Sequence, residues 1–185
     1  MTNFADFKLA TQSRFLIIGY GDEFGGDRSV GLQVANAIEN WHLPAIKTIA
    51  TRQLRPELAE DLVAADYAIF VDACSAENCS RTVQLDPVAV GSRIPRTLLA
   101  EKHNCIPLTL LNLTQQLYGR TPQAWLLQVP TESFNERGTL SSTAQRGLDR
   151  SVRIVAQLLK TYQQPGWISS AIERPAEQPV LCKVS

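Results

Sequence analysis

The chain has 185 residues, enough for one domain with a core of its own. Its 18 basic residues equal its 18 acidic residues and no basic block is present, so we expect no nucleic-acid partner. The N-terminus lacks the pattern of a signal peptide, and no apolar run approaches the ~18 residues of a membrane span, so we expect a soluble, cytoplasmic monomer with no membrane partner.

The first half of the chain alternates strands with helices. The pattern predicts strands at 14–20, 45–51 and 67–73 and helices at 29–41 and 55–65. The third strand is apolar throughout until Asp72. A strand of this kind is buried on both faces, which indicates a sheet with helices on each side.

The second half continues the alternation. It predicts a short edge strand at 81–85, a helix at 107–117 that Gly119 ends, a strand at 124–130 and a last helix at 140–162. We therefore expect an α/β fold, a three-layer α/β/α sandwich whose mostly parallel sheet has about five strands with helices on both faces. The domain spans 14–162, after an N-terminal extension (1–13) and before a tail (163–185) in which prolines accumulate and periodicity is lost.

The turn after the first strand is rich in glycine and acidic at once. Its glycines are Gly19, Gly21, Gly25 and Gly26, a spacing that differs from the dinucleotide-binding pattern G-x-G-x-x-G. Asp22 and Glu23 occupy the place where a pyrophosphate would lie against the helix N-terminus. Because carboxylates repel phosphate, we expect no nucleotide cofactor.

Four carboxylates follow strand ends and are expected at one edge of the sheet. They are Asp22, Glu23 and Asp27 after the first strand and Asp72 at the end of the third. Such a group suits a cation, and a transition metal also requires imidazole, which His103 offers from the loop before the helix at 107. The other histidine, His42, ends a helix and is interpreted as a surface residue or a partner of the helix dipole.

Two of these residues have simpler interpretations. Asp27 is well placed to be the N-cap of the helix that starts at Ser29. His103 is equally compatible with an ordinary loop histidine. Asp72 is harder to explain structurally, because a carboxylate that ends an apolar strand needs a partner.

The four cysteines show no C-x-x-C pair, so neither a zinc site nor a thioredoxin-like site is indicated. We expect reduced, structural thiols.

Several segments, in order, resemble the maturation endopeptidases of [NiFe] hydrogenases. "RFLIIGYGDEFGGDRSVG" is similar to the family's opening G-N-x-L-x-G-D-[DE]-G-x-G, "IFVDA" to its strand ending in Asp-Ala, and "SFNERGTLS" to its late G-x-x-L-S segment. "TRQLRPELAE" and "LTQQLYGRTPQAWLLQVP" resemble the branch that serves the bidirectional, NAD(P)-linked hydrogenases of cyanobacteria. The resemblance extends over 14–162.

The resemblance implies a hydrolase that processes a protein. Such an endopeptidase recognises the nickel already inserted in the precursor of the hydrogenase large subunit and removes that subunit's C-terminal extension without a nucleophile of its own. The nickel thus comes with the substrate. By motif, Asp72 matches the strand-end nickel ligand and His103 the loop ligand, while Gly19, Gly21 and Gly26 shape the loop; catalytic residues are not identified.

The resemblance fails at the first ligand. Arg28 stands where the family has an acidic residue, so Asp22 or Asp27 would have to take its place. Two other functions stay open. One is a degenerate relative that binds a hydrogenase precursor or another partner without cutting it, and the other is an unrelated nucleotide-binding α/β enzyme.

Overall fold

A five-stranded sheet forms the centre of the computed structural model, which describes residues 13–75, 81–91, 106–132, 134 and 138–162. The strands are β1 (Phe15–Tyr20), β2 (Ile46–Thr51), β3 (Tyr67–Cys74), β4 (Gln84–Val88) and β5 (Gln123–Pro130), in the order β2-β1-β3-β5-β4. All neighbouring pairs are parallel except β4 and β5, which are antiparallel. The predicted sheet is confirmed.

Four α-helices accompany these strands in the described part of the chain. They are α1 (Val30–Glu39), α2 (Ala59–Ala64), α3 (Pro107–Tyr118) and α4 (Ser142–Tyr162). None of these described helices has both the length and the apolar character needed to cross a membrane.

Helices cover both faces of the sheet, because alternate strand residues point to opposite sides. Phe15 and Ile17 of β1 pack in one core with residues of α1 and α4, which we call the α1/α4 face. Leu16 and Ile18 pack in a second core with residues of α2 and α3, the α2/α3 face. The predicted three-layer sandwich is therefore confirmed.

Some predicted boundaries were displaced. The edge strand lies at Gln84–Val88 rather than 81–85, and it includes Pro87, which an edge strand tolerates because one of its sides needs no ladder hydrogen bonds. The helices predicted from Ser29 and around Pro56 each begin as a 3-10 turn, Gly26–Ser29 and Pro56–Leu58. Gly119 ends α3 in the left-handed conformation, with φ 72°, as predicted.

The predicted tail at 163–185 lies outside the described residues, as does all of the predicted N-terminal extension except Ser13.

Candidate functional site

The parallel strands β1, β3 and β5 end at the same edge of the sheet and bring chemically active side chains together there. The register pairs Gly19 of β1 with Val71 of β3, so the next residues, Tyr20 and Asp72, are neighbours on adjacent strands. Asp72 is paired in turn with Gln128 of β5. Tyr20 packs against the core of the α2/α3 face, and by alternation from Phe70 the Asp72 side chain lies on that face too. Asp72 lies two residues before the end of β3.

A hydrogen bond joins Tyr20 to Asp72. The Tyr20 hydroxyl donates to Asp72 Oδ2 over 2.9 Å, and both residues are half-buried. A carboxylate held by a hydroxyl keeps a fixed orientation, as in sites where a second residue orients the group that binds a metal. Asp72 is therefore a positioned carboxylate at the edge of the sheet.

Asp27 has a different partner from the one expected. Its side chain is 4% exposed, and its carboxylate accepts hydrogen bonds from Glu132 N (2.8 Å), Ser141 N (2.7 Å) and Ser141 Oγ (2.8 Å). Ser141 Oγ in turn accepts a bond from Ala144 N in the first turn of α4. No side-chain bond caps α1 or the 3-10 turn before it, so the N-cap prediction was wrong.

The side chains of Asp22 and Arg28, both in the loop after β1, contact different partners. Asp22 is half-buried, and its Oδ1 accepts a hydrogen bond from Phe24 N over 3.1 Å within the loop itself. Arg28 is exposed, and its guanidinium carbon lies 5.4 Å from the centre of the Phe134 ring. A cation over an aromatic face is a favourable contact, so the Arg28 side chain has a structural partner of its own.

Three glycines of the loop, Gly19, Gly21 and Gly26, have backbone surroundings or φ values that a side chain would not tolerate. A Cβ on Gly19 would lie 2.0 Å from the carbonyl oxygen of Gly31, so α1 touches β1 backbone to backbone at this point. Gly21 and Gly26 have φ values of 151° and 51°, which other residues rarely adopt. The loop therefore turns sharply and stays close to the ends of β1 and β3.

The residues predicted to bind a metal lie only partly among the described residues. His103 lies outside the described residues, and within them no group of three or more His, Cys, Asp or Glu side chains could hold a metal ion. Asp72 stays a predicted ligand, and the described side chains alone do not form a complete ligand set. His42 is exposed at the end of α1, as predicted, with φ 50° and its N–H bonded to Glu39 O.

Cys74, two residues beyond Asp72, is disulfide-bonded, so the prediction of reduced thiols was wrong for this residue. The other three cysteines of the sequence lie outside the described residues.

Glu132 connects the end of β5 to α4. Its carboxylate accepts hydrogen bonds from the hydroxyl and N–H of Thr143 and from the Ser142 hydroxyl. These bonds, first of all that from the Thr143 hydroxyl, lower the pKa of Glu132 below its usual value and outweigh the raising effects of desolvation and of the Asp27 charge. Glu132 is consequently ionised at neutral pH.

Comparison with solved structures identifies the fold as that of the [NiFe] hydrogenase maturation proteases. The chain is similar to HycI from Thermococcus kodakarensis KOD1, with a TM-score of 0.62 and 18% identity over 82% of this chain and 95% of that chain. An endopeptidase from Escherichia coli gives 0.62 and 22% over 80% and 93%, and the hydrogenase maturating endopeptidase HybD from E. coli gives 0.57 and 20% over the same shares. The sequence matches no family model and no curated protein.

Sequence reasoning missed two contacts of this region. Tyr20 could have been found, because it ends a strand beside β3 and alternation puts it on the same face as Asp72. The bond between Asp27 and Ser141 had no such signal, since the two residues are 114 positions apart. The serines before α4 indicate a helix cap but not the residue that contacts it.

Proposed function

We propose that the protein is an endopeptidase of the [NiFe] hydrogenase maturation type. It removes the C-terminal extension of a hydrogenase large-subunit precursor and recognises the nickel that the precursor already carries. The fold supports this proposal, because it is shared with such proteases over most of the chain. The observation that carries it is Asp72, a carboxylate fixed by Tyr20 at the edge of the sheet where ligands of parallel α/β sheets bind.

In this proposal the precursor's nickel is part of the substrate. Asp72 gives it an oxygen ligand, and the Tyr20 hydroxyl keeps that carboxylate in one orientation. His103 is the proposed imidazole donor, because transition metals favour nitrogen ligands. The role of these residues is to hold the metal-bearing segment of the precursor against the edge of the sheet, which positions the extension for hydrolysis.

The hydrogen bonds favour Asp22 over Asp27 as the additional carboxylate ligand. Both oxygens of Asp27 accept hydrogen bonds from the segment before α4, so a metal would have to displace them. Asp22 is more exposed than Asp27, and its one intraloop bond is to Phe24 N. Its carboxylate is therefore easier to redirect toward a substrate.

The test is a processing reaction with purified components. A nickel-loaded large-subunit precursor is mixed with the protein, and mass spectrometry follows the release of the C-terminal peptide. We expect release by the unaltered protein and a loss of at least about 100-fold in rate with Asp72→Asn, a typical cost of a mispositioned substrate. Asp86→Asn, on the exposed surface of β4, is the matched control and should process normally.

A second function is favoured by a specific observation. Arg28 stands at the family's acidic position, and the described residues do not complete a set of metal ligands. A protein that lacks a complete set of metal ligands would bind a hydrogenase precursor without cutting it, and this is the second candidate function. Co-purification of the intact precursor in the absence of any released peptide would support this function, and failure of both binding and processing would contradict both.

A further inference from the structure

A cavity of about 460 Å³ lies between the segment before β4, the end of β5 and the first turns of α4. Its volume is within the range of ordinary ligand pockets. Three arginines line it, Arg81 from the segment before β4 and Arg146 and Arg150 from α4. Because α4 packs on the α1/α4 face, the cavity is on that side of the sheet, whereas the Asp72 side chain is on the α2/α3 face.

The three arginines give the cavity a lining of positive charge. Within the described residues none of the three forms an ion pair, and the side-chain bond of Arg146 goes to the neutral Thr143 hydroxyl, at 3.2 Å. The first turn of α4 contains no acidic residue of its own, and the carboxylate that contacts it, Glu132, comes from the end of β5. Three like charges around one cavity repel each other, and an anion would relieve that repulsion.

A carboxylate, Glu132, shares the Thr143 hydroxyl with Arg146 without forming an ion pair with it. Glu132 is bonded to Thr143 and Ser142, not to a guanidinium. Guanidinium groups bind carboxylates through paired hydrogen bonds, which makes arginine the preferred residue for recognising them.

The remaining wall of the cavity is apolar and includes Val83 and Pro130. Beside them, Gly147 lies so close to β5 that an added Cβ would be 2.5 Å from Val129 Cγ1. A single phosphate ion would fill only a small part of this space and would leave the apolar wall without a contact. The lining suits a ligand that combines carboxylates with an apolar group.

We propose that this cavity binds an acidic segment of a polypeptide, with carboxylates on the three arginines and an apolar side chain against Val83 and Pro130. The inference does not require that the protein cuts this polypeptide. It can therefore hold or fail independently of the proposed peptidase function.

Fluorescence anisotropy with the full chain tests the proposal. The probe is a short fluorescein-labelled peptide of alternating glutamate and leucine, measured at low ionic strength, where charge contacts are least screened. The double variant Arg146→Gln/Arg150→Gln should weaken binding by at least about ten-fold, and Arg81→Gln should weaken it as well. Arg153→Gln is the matched control, because Arg153 is exposed on the same helix and does not line the cavity.

Binding that survives Arg153→Gln, is lost in the double variant and is absent for a glutamine–leucine peptide would support the site. Equal weakening by Arg153→Gln would show unspecific attraction to a basic helix and overturn the proposal. No binding by the full chain would overturn it too. Tighter binding of inorganic phosphate than of the peptide would overturn the proposal and indicate a phosphate site. Circular dichroism establishes that each variant is folded.

Discussion

At the scale of single residues, Asp27 in the loop after β1 and Asp72 near the end of β3 have different roles. Asp72 is half-buried near the end of β3 and accepts a hydrogen bond from the Tyr20 hydroxyl. Asp27 is buried and bonded to the segment that precedes α4. The same side-chain chemistry thus serves a candidate site in one case and the fold in the other, and the burial of the two carboxylates distinguishes them.

The bond to Asp72 gives a prediction for Tyr20→Phe. This change removes the hydroxyl and keeps the ring, so the carboxylate loses a fixed partner at a cost of about 1 kcal/mol in the free energy of unfolding. Urea denaturation followed by circular dichroism measures this loss. Tyr118→Phe, at the exposed end of α3, is the control and should be neutral. Equal stabilities for the two variants would show that the bond contributes nothing.

Asp27→Ala should destabilise the protein much more. It leaves the N–H groups of Glu132 and Ser141 without their acceptor, and we expect a loss of about 3 kcal/mol. Asp86→Ala on the exposed face of β4 should change stability by less than about 0.5 kcal/mol. If Asp27→Ala does not fold, Asp27→Asn retains the shape and should still lose stability.

At the scale of elements, the local sequence pattern was sufficient to predict most strands and helices. It was not sufficient to predict the contacts between distant elements. The apolar runs of β1, β3 and β5 predicted buried parallel strands because each signal is contained in a few neighbouring residues. The start of β4 could not be read in this way, since it depends on pairing of Gln84 with Gln128 across the sheet. The position of Asp72 near the end of β3 was predictable because it depends on neighbouring residues. The partner of Asp27 was not predictable, because it lies more than a hundred positions away.

The contribution of the segment between β5 and α4 to stability should decrease at low pH because of Glu132. Its pKa is lower in the folded than in the unfolded chain, so its contribution to stability is present above the unfolded pKa and is lost as the pH falls through the folded pKa. Thr143→Val removes the main cause and should raise the Glu132 pKa toward its usual value, which carboxyl ¹³C NMR measures. Thr161→Val, at the exposed end of α4, should leave it unchanged. An unshifted Glu132 in Thr143→Val would contradict this assignment.

At the scale of the whole molecule, the packed domain extends to the end of α4. The Tyr162 ring centre lies 4.7 Å from that of Tyr67 and 5.3 Å from that of Trp125, so the last helical residue joins an aromatic cluster that reaches β3 and β5. Tyr162, the last residue of the predicted domain, therefore makes a stabilising contact.

Removal of the chain after Tyr162 should leave the melting temperature nearly unchanged, because the sequence beyond it has little periodic apolar pattern to bury. Removal of Tyr162 as well should lower the melting temperature by several degrees, since an aromatic pair contributes about 1 kcal/mol beyond its buried area. Differential scanning calorimetry of the two truncated chains compares them. A large loss in the longer one would show that residues beyond 162 pack on the domain.

The hydrogen bonds that Asp27 accepts also determine when folding can be completed. They join the loop after β1 to Glu132 and Ser141, residues 105 and 114 positions later in the chain. Closing so long a segment costs chain entropy before any contact is gained, and contacts of this separation slow folding. During synthesis on the ribosome, Asp27 in the loop after β1 can form these hydrogen bonds only after the start of α4 has emerged. A nascent chain that already contains all five strands therefore still lacks the finished edge of its sheet.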